Sequence, residues 1–282
     1  MVTDRAYRPS KLNDALMFLA EHASENPVIF AGGTDLMVRH RGYTGTLPKI
    51  EAPVLFVDGI EELLNVSAGQ NGAASIGAAV PYSVLEKTSG LPDLLIRSVV
   101  KIAAPGLRNR GTVGGNICNA SPAADTVPPL LIHAAVCRIV SLSGERTVPL
   151  ENFATGPGKT VLAPGELLAS VEVPPYEITH AYYRKIGTRK ANALSKLSVC
   201  AAVFNGTDAP EIRIAMGAVG PKALRLPGTE EAIRKGLGRD AILNALYEEI
   251  RPISDQRSTA DYRNAVAGNC VIEFCEKAGL AI

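Results

Sequence analysis

Two glycine-rich stretches, Ala31-Gly32-Gly33-Thr34-Asp35-Leu36 and Thr112-Val113-Gly114-Gly115-Asn116, each follow an apolar run. Both set glycines beside hydroxyl and amide side chains, a composition that lets backbone N–H groups close on a phosphate without a Cβ in the way. On its own, GGTD reads first as a tight turn between a strand and a helix. The second block shifts that balance, because Thr112, Asn116, Asn119, Ser121 and Asp125 surround Gly114-Gly115 with donors and acceptors. Two such loops point to a phosphate-rich ligand, such as a dinucleotide, held from two sides. Neither spacing is G-x-G-x-x-G and no GxxxxGK[ST] occurs, which argues against a Rossmann turn and a P-loop. Carboxylates such as Asp35 and Asp125 suit a ligand hydroxyl better than a phosphate, which they would repel.

Other chemistry has little support. The five cysteines, Cys118, Cys137, Cys200, Cys270 and Cys275, are scattered without a C-x-x-C pair, against a disulfide framework, a zinc site or an iron–sulfur cluster. His22, His40, His133 and His180 stand singly outside both glycine blocks. With 29 basic and 28 acidic side chains, no long-range field marks a nucleic-acid or anionic-membrane binder. The chain opens on a polar segment and has no long uninterrupted apolar window, so a cytoplasmic protein without a membrane span is expected.

The 282 residues suffice for two or three compact subdomains. Leu12, Ala15, Leu16, Leu19, Ala20 and Ala23 recur at helical spacing after Ser10, a good N-cap, and the pattern ends before Pro27. A strand at 28–31 then leads into the first glycine turn and a short helix at 34–39. Strands follow at 54–58 and 75–78, then a helix through Leu94, Leu95, Val99 and Ile102 that ends near Pro105-Gly106. The segment 107–125 is short of helix signals and reads as a long polar loop inside a domain, which is usually functional. Strands at 137–142 and 167–173 precede Pro174-Pro175, the clearest boundary in the chain. Beyond it come strands at 181–186, 197–204 and 212–219, then helices at 230–235, 240–250 and 259–277, the order of an α+β domain.

AGGTDL followed by LRNRGTVGGNICNASPAAD resembles the flavin-binding subunits of the molybdenum hydroxylases, the family of xanthine dehydrogenase and aerobic carbon monoxide dehydrogenase. The likeness continues through ELLASVEVP, YYRKIGTRKANALSKLSV, RIAMGAVGPKALR and DYRNAVAGN. NICN together with GPGK at 156–159 is most similar to bacterial xanthine dehydrogenase flavoprotein subunits, a weaker inference. The resemblance implies an α+β fold. Residues 1–174 would form a two-part FAD-binding domain of the PCMH/vanillyl-alcohol-oxidase-like type, with parts of about 1–52 and 53–174, and 175–282 a smaller α+β domain.

It also implies site residues. Ile29, Phe30, Ala31, Gly32, Gly33, Thr34, Asp35 and Leu36 would wrap the FAD pyrophosphate and adenosine, with the N–H groups of Gly32, Gly33 and Thr34 as donors. Thr112, Gly114, Gly115, Asn116 and Asn119 would contact the pyrophosphate, ribityl chain or flavin edge from the other side. Asp125 would accept from a flavin-side hydroxyl or ring N–H, Ile102 would touch the cofactor, and Leu168 would pack on the isoalloxazine. Lys185 matches a position that brings a cation toward the flavin N1/O2 edge and raises its potential. Among Arg184, Arg189 and Lys190 it reads equally as a surface lysine.

No Cys-rich insertion occurs, so FAD is the expected cofactor and none other, and the isolated histidines give covalent flavin attachment little basis. The family implies a molybdopterin-containing large subunit and a 2Fe–2S small subunit as partners, NAD⁺ or another acceptor for the electrons, and a dimer of heterotrimers. Two other readings stay open: a flavoenzyme that works alone, for which no substrate acid or base stands out, and a nucleotide-binding assembly module without redox chemistry.

Overall fold

The computed structural model describes residues 5–43, 50–189, 192–206 and 210–282. It opens with β1 (Ala6–Tyr7), α1 (Leu12–Glu21), β2 (Val28–Phe30), α2 (Leu36–Arg39) and β3 (Val54–Phe56). The three strands form a parallel sheet in the order β1-β3-β2. Helix α1 lays Ala15, Leu16 and Leu19 against Leu55, Val57, Ile60 and Leu63. Ser10 does not cap it. The first turn starts after Lys11, and the Leu12 N–H donates to Glu62 Oε1 at 3.2 Å, so a carboxylate fifty residues away does the work expected of the local serine.

A longer segment follows: β4 (Val66–Ala68), β5 (Ala74–Gly77), α3 (Tyr82–Leu85), α4 (Asp93–Val99), α5 (Pro105–Arg108), α6 (Val113–Cys118), α7 (Val127–Ile132), β6 (Val136–Ser141), β7 (Gly144–Pro149), α8 (Leu150–Phe153), β8 (Ala154–Gly156), β9 (Lys159–Thr160) and β10 (Leu167–Val173). Strands β4-β5-β10-β6-β7 make an antiparallel sheet with β10 at its centre. Two expectations change here. The helix expected through Ile102 stops at Val99, because Ala104 is held extended before Pro105, which restarts a helix at its own first position. The intervening turn puts Ala103 at φ +43°. The second glycine block is helical in α6 rather than a loop. Thr112 supplies the signal, its hydroxyl accepting the Gly115 N–H at 2.9 Å as an N-cap.

The last third holds β11 (Ile178–Gly187), β12 (Ser195–Phe204), β13 (Glu211–Gly217) and β14 (Leu224–Arg225) in one antiparallel sheet, then α9 (Pro227–Arg234), α10 (Arg239–Glu249) and α11 (Ala260–Ala278). One face, with Leu197, Val199, Ile214 and Met216, packs on Ile242, Leu246, Val271 and Phe274 of the helices. The opposite face, with Tyr183, Cys200, Ala202, Phe204 and Ala215, belongs to the same core as Ile76, Leu94, Leu130 and Phe153. Burial on both faces explains why β12 reads as an almost continuous apolar run instead of an alternating one.

A polar group sits in that shared core. The Arg213 guanidinium lies 4.3 Å from the ring centre of Tyr176, in the link between β10 and β11, and 4.8 Å from that of Phe204. Arg213 donates to the Ile132 carbonyl at 2.8 Å. Next to it, His133 is buried with neither ring nitrogen partnered, and burial together with Arg213 lowers its pKa to about 4. Among the described residues, no helix is long and apolar enough to cross a membrane.

Candidate cofactor site

The two glycine stretches face each other across a cavity of about 400 Å³. The first wall is the turn between β2 and α2. The N–H groups of Gly32, Gly33 and Thr34 find no acceptor among the described residues, and they border the cavity. The glycines themselves answer to the protein. A Cβ on Gly32 would sit 1.8 Å from the Arg110 carbonyl oxygen, and one on Gly33 would sit 2.1 Å from Phe30 Cζ in a backbone at φ +72°. The turn is therefore pressed onto both the second loop and its own strand. Phe30 lies beneath it, outside the cavity, and packs with Phe56 at 4.9 Å between ring centres.

The second wall is α6. Gly114 is needed against β5, since its Cβ would come within 2.5 Å of Ala78, and its N–H donates to the Ala78 carbonyl. Gly115 is exposed, and a Cβ there meets Thr112 Oγ1 alone, at 2.8 Å. With the N–H groups of Gly114, Gly115 and Asn116 all bonded within the protein, this wall offers side chains to a ligand where the first offers backbone. Asn116 Oδ1 accepts from Thr126 at 2.7 Å, which turns its amide NH₂ away from that bond. Asn119 Oδ1 accepts from Arg39.

Apolar side chains also line the cavity: Ile29, Val57, Leu63, Ile102, Leu167 and Leu168. Leu167 and Leu168 both reach it, and the pairing of β10 with β6 slips just beyond, between Leu168 and Ser170. Cys118 also lines the cavity, where burial pushes its thiol up to about 12 and keeps it un-ionised. Tyr82 is 4% exposed, and its hydroxyl approaches Thr126 without meeting hydrogen-bond geometry, leaving it unpartnered in the cavity wall. Burial raises its pKa, so it stays a phenol.

All but three of the residues expected at the site line this one cavity. The exceptions are Phe30, Asp125 and Lys185. The Lys185 ammonium lies 2.7 Å from Asp125 Oδ2 and donates to the Lys101 carbonyl at 2.8 Å, while the Ser195 hydroxyl donates to Asp125 Oδ1 at 2.5 Å. Both side chains are about nine-tenths buried, so Lys185 is not a surface lysine. The two charges satisfy each other behind the cavity wall, a pairing invisible to sequence because sixty residues separate them. Lys190 lies outside the described residues. Conversely, Arg39 and Tyr82 line the cavity without having been expected there. Arg39 had a readable signal, four residues after Asp35 on a helical turn, and its Nε lies 2.7 Å from Asp35 Oδ2. Tyr82 had none.

The family model for the FAD binding domain in molybdopterin dehydrogenase matches residues 2–176. The chain belongs to this flavoprotein family. The model for the CO dehydrogenase flavoprotein C-terminal domain matches residues 181–278 of the flavoprotein. It is 30% identical over 270 residues to the xanthine dehydrogenase FAD-binding subunit of Escherichia coli O157:H7, covering 91% of this chain and 89% of the relative. It is 31% identical over 278 residues to the glyceraldehyde dehydrogenase medium chain of Sulfolobus acidocaldarius, covering 92% of each. The carbon monoxide dehydrogenase structure from Hydrogenophaga pseudoflava superposes with a TM-score of 0.83 at 25% identity, covering 98% of both chains. This flavoprotein is thus an FAD-binding oxidoreductase subunit of the molybdenum hydroxylase family.

The cavity fits that cofactor on its own terms. Unpaired N–H groups suit phosphate oxygens, the Asn116 amide suits a polar edge, and the apolar lining that includes Leu168 suits a flat ring.

Proposed function

We propose that this subunit is the exit point for electrons in a multi-subunit enzyme. Electrons would arrive from 2Fe–2S clusters on a small subunit, after substrate oxidation on a molybdopterin-containing large subunit, and leave to NAD⁺ or another acceptor. Bound FAD supplies the conversion between single-electron and paired-electron transfer. The observation that carries the reading is a single cavity lined both by Gly32, Gly33 and Thr34, whose N–H groups are unpaired, and by apolar side chains that include Ile102 and Leu168.

In this reading the first wall holds the pyrophosphate by backbone donors, with Leu36 and Ile29 flanking it. Thr112, Gly115, Asn116 and Asn119 orient the ribityl chain and flavin edge from the second wall. Asp35 accepts from a hydroxyl, and Leu168 with Ile102 keeps water from the ring. Lys185 and Asp125 contribute from one layer behind, since their charges neutralise each other. A cytoplasmic location, division of the chain at Pro174-Pro175 and a dimer of heterotrimers belong to the same proposal.

The test is the visible absorbance of the purified chain with acid release of its cofactor, followed by reduction of the assembled complex with substrate. Close to one FAD per chain, reduced only when both partner subunits are present and reoxidised by NAD⁺, is the expected result. Flavin reduction by substrate in the isolated chain would instead establish a stand-alone enzyme.

A further inference from the structure

Arg39 is the one cation among the described residues that line the cavity, and Asp35 the one acidic side chain. The Arg39 guanidinium joins the two walls, pairing with Asp35 on the first and donating to Asn119 on the second. Neither bond ties it down. The Arg39 and Asp35 side chains are 53% and 52% exposed, and an ion pair so open to water is exchanged at little cost. A pyrophosphate brings two negative charges into a space that already holds the Asp35 carboxylate. The N–H groups of Gly32, Gly33 and Thr34 donate hydrogen bonds but carry no net charge, so the balance falls to Arg39.

We propose that Arg39 makes this site select a pyrophosphate-bearing flavin over the bare flavin ring. Its planar guanidinium exchanges Asp35 for phosphate oxygens, which it can engage in pairs. The released Asp35 carboxylate becomes free to accept from a ribose hydroxyl. This inference rests on the reading of the cavity as the FAD site, and extends it to what the site discriminates.

The experiment measures dissociation constants of FAD and riboflavin, by quenching of flavin fluorescence, for the full-length chain stripped of cofactor and for Arg39→Gln and Arg39→Lys. In Arg39→Gln, FAD binding weakens roughly tenfold to a hundredfold, the range for loss of charge-assisted hydrogen bonds, while riboflavin binding is unchanged. FAD affinity also becomes less sensitive to salt, and Arg39→Lys recovers part of the loss. Equal weakening of both ligands would reduce Arg39 to a clasp between the walls and overturn the proposal, as would unchanged FAD affinity. If the unsubstituted chain bound neither ligand, the FAD reading would itself fall, an outcome distinct from either.

Discussion

At the residue scale, the glycines of the two motifs divide by what they touch. Gly32, Gly33 and Gly114 are required by the carbonyl of Arg110, the ring of Phe30 and the backbone of Ala78, whereas a Cβ on Gly115 would meet only the capping hydroxyl of Thr112, at 2.8 Å. The sequence argument assigned all of them to ligand approach, from which Gly33→Val would be expected to spare the core. The structure reverses that. A branched side chain at φ +72° against Phe30 costs roughly 2–5 kcal/mol from the left-handed backbone and overpacking combined, and denaturant unfolding of the cofactor-free protein will show it. Gly115→Ala, in contrast, presses only on the Thr112 cap of α6, and is expected to cost the stripped protein about 0.5–2 kcal/mol while weakening FAD binding. Parallel losses in both variants would show that the distinction between packing glycine and ligand glycine is false.

At the element scale, the longer strands and helices were mostly legible to within a few residues, because apolar spacing and proline placement act locally, whereas β7, α7 and many of the two- to four-residue elements had no expected counterpart. Strand β10 matches its expected span. Failures came where a distant group supplied what local sequence lacked, as with Glu62 for α1, or where one side chain outweighed poor propensity, as Thr112 does for α6. The Asp125–Lys185 pair is the strongest such case. Through Lys185, strand β11 is fastened to the segment before α7 and to the Lys101 carbonyl, beside the strained turn that carries Ile102 and Ala103 into the cavity. Lys185→Met leaves a buried carboxylate with a serine for company, and about 3–5 kcal/mol of stability is lost. The double variant Asp125→Asn with Lys185→Met should cost clearly less than the sum of the single changes, as measured by a double-mutant cycle in urea. Additive effects would mean that the two charges do not depend on each other.

At the scale of the whole molecule, His133 gives folding an acid sensitivity. Its pKa is about 4 in the folded chain against 6.5 for the free side chain, so the unfolded state takes up the proton first. Well above pH 6.5 this group contributes nothing to the pH dependence. As pH falls from 6.5 toward 4 it removes stability, about 2 kcal/mol of it by pH 5. His133→Leu keeps the site apolar and abolishes that loss, so unfolding free energies of the two proteins, compared at pH 7 and pH 5, should diverge by this amount. A constant difference between them would place the acid-sensitive group elsewhere.

The sheet of β11 to β14 completes a core begun by Ile76, Leu94, Leu130 and Phe153, so two family domains that can be told apart in sequence share one interior. This orders events during synthesis. When the residues of both glycine motifs have left the ribosome, the core that holds Tyr82, Val113, Ile117 and Leu168 still lacks Cys200, Ala202, Phe204 and Ala215. A nascent chain therefore carries the grammar of its cofactor site before the interior behind that site is complete, and the core closes only when the last third of the polypeptide arrives.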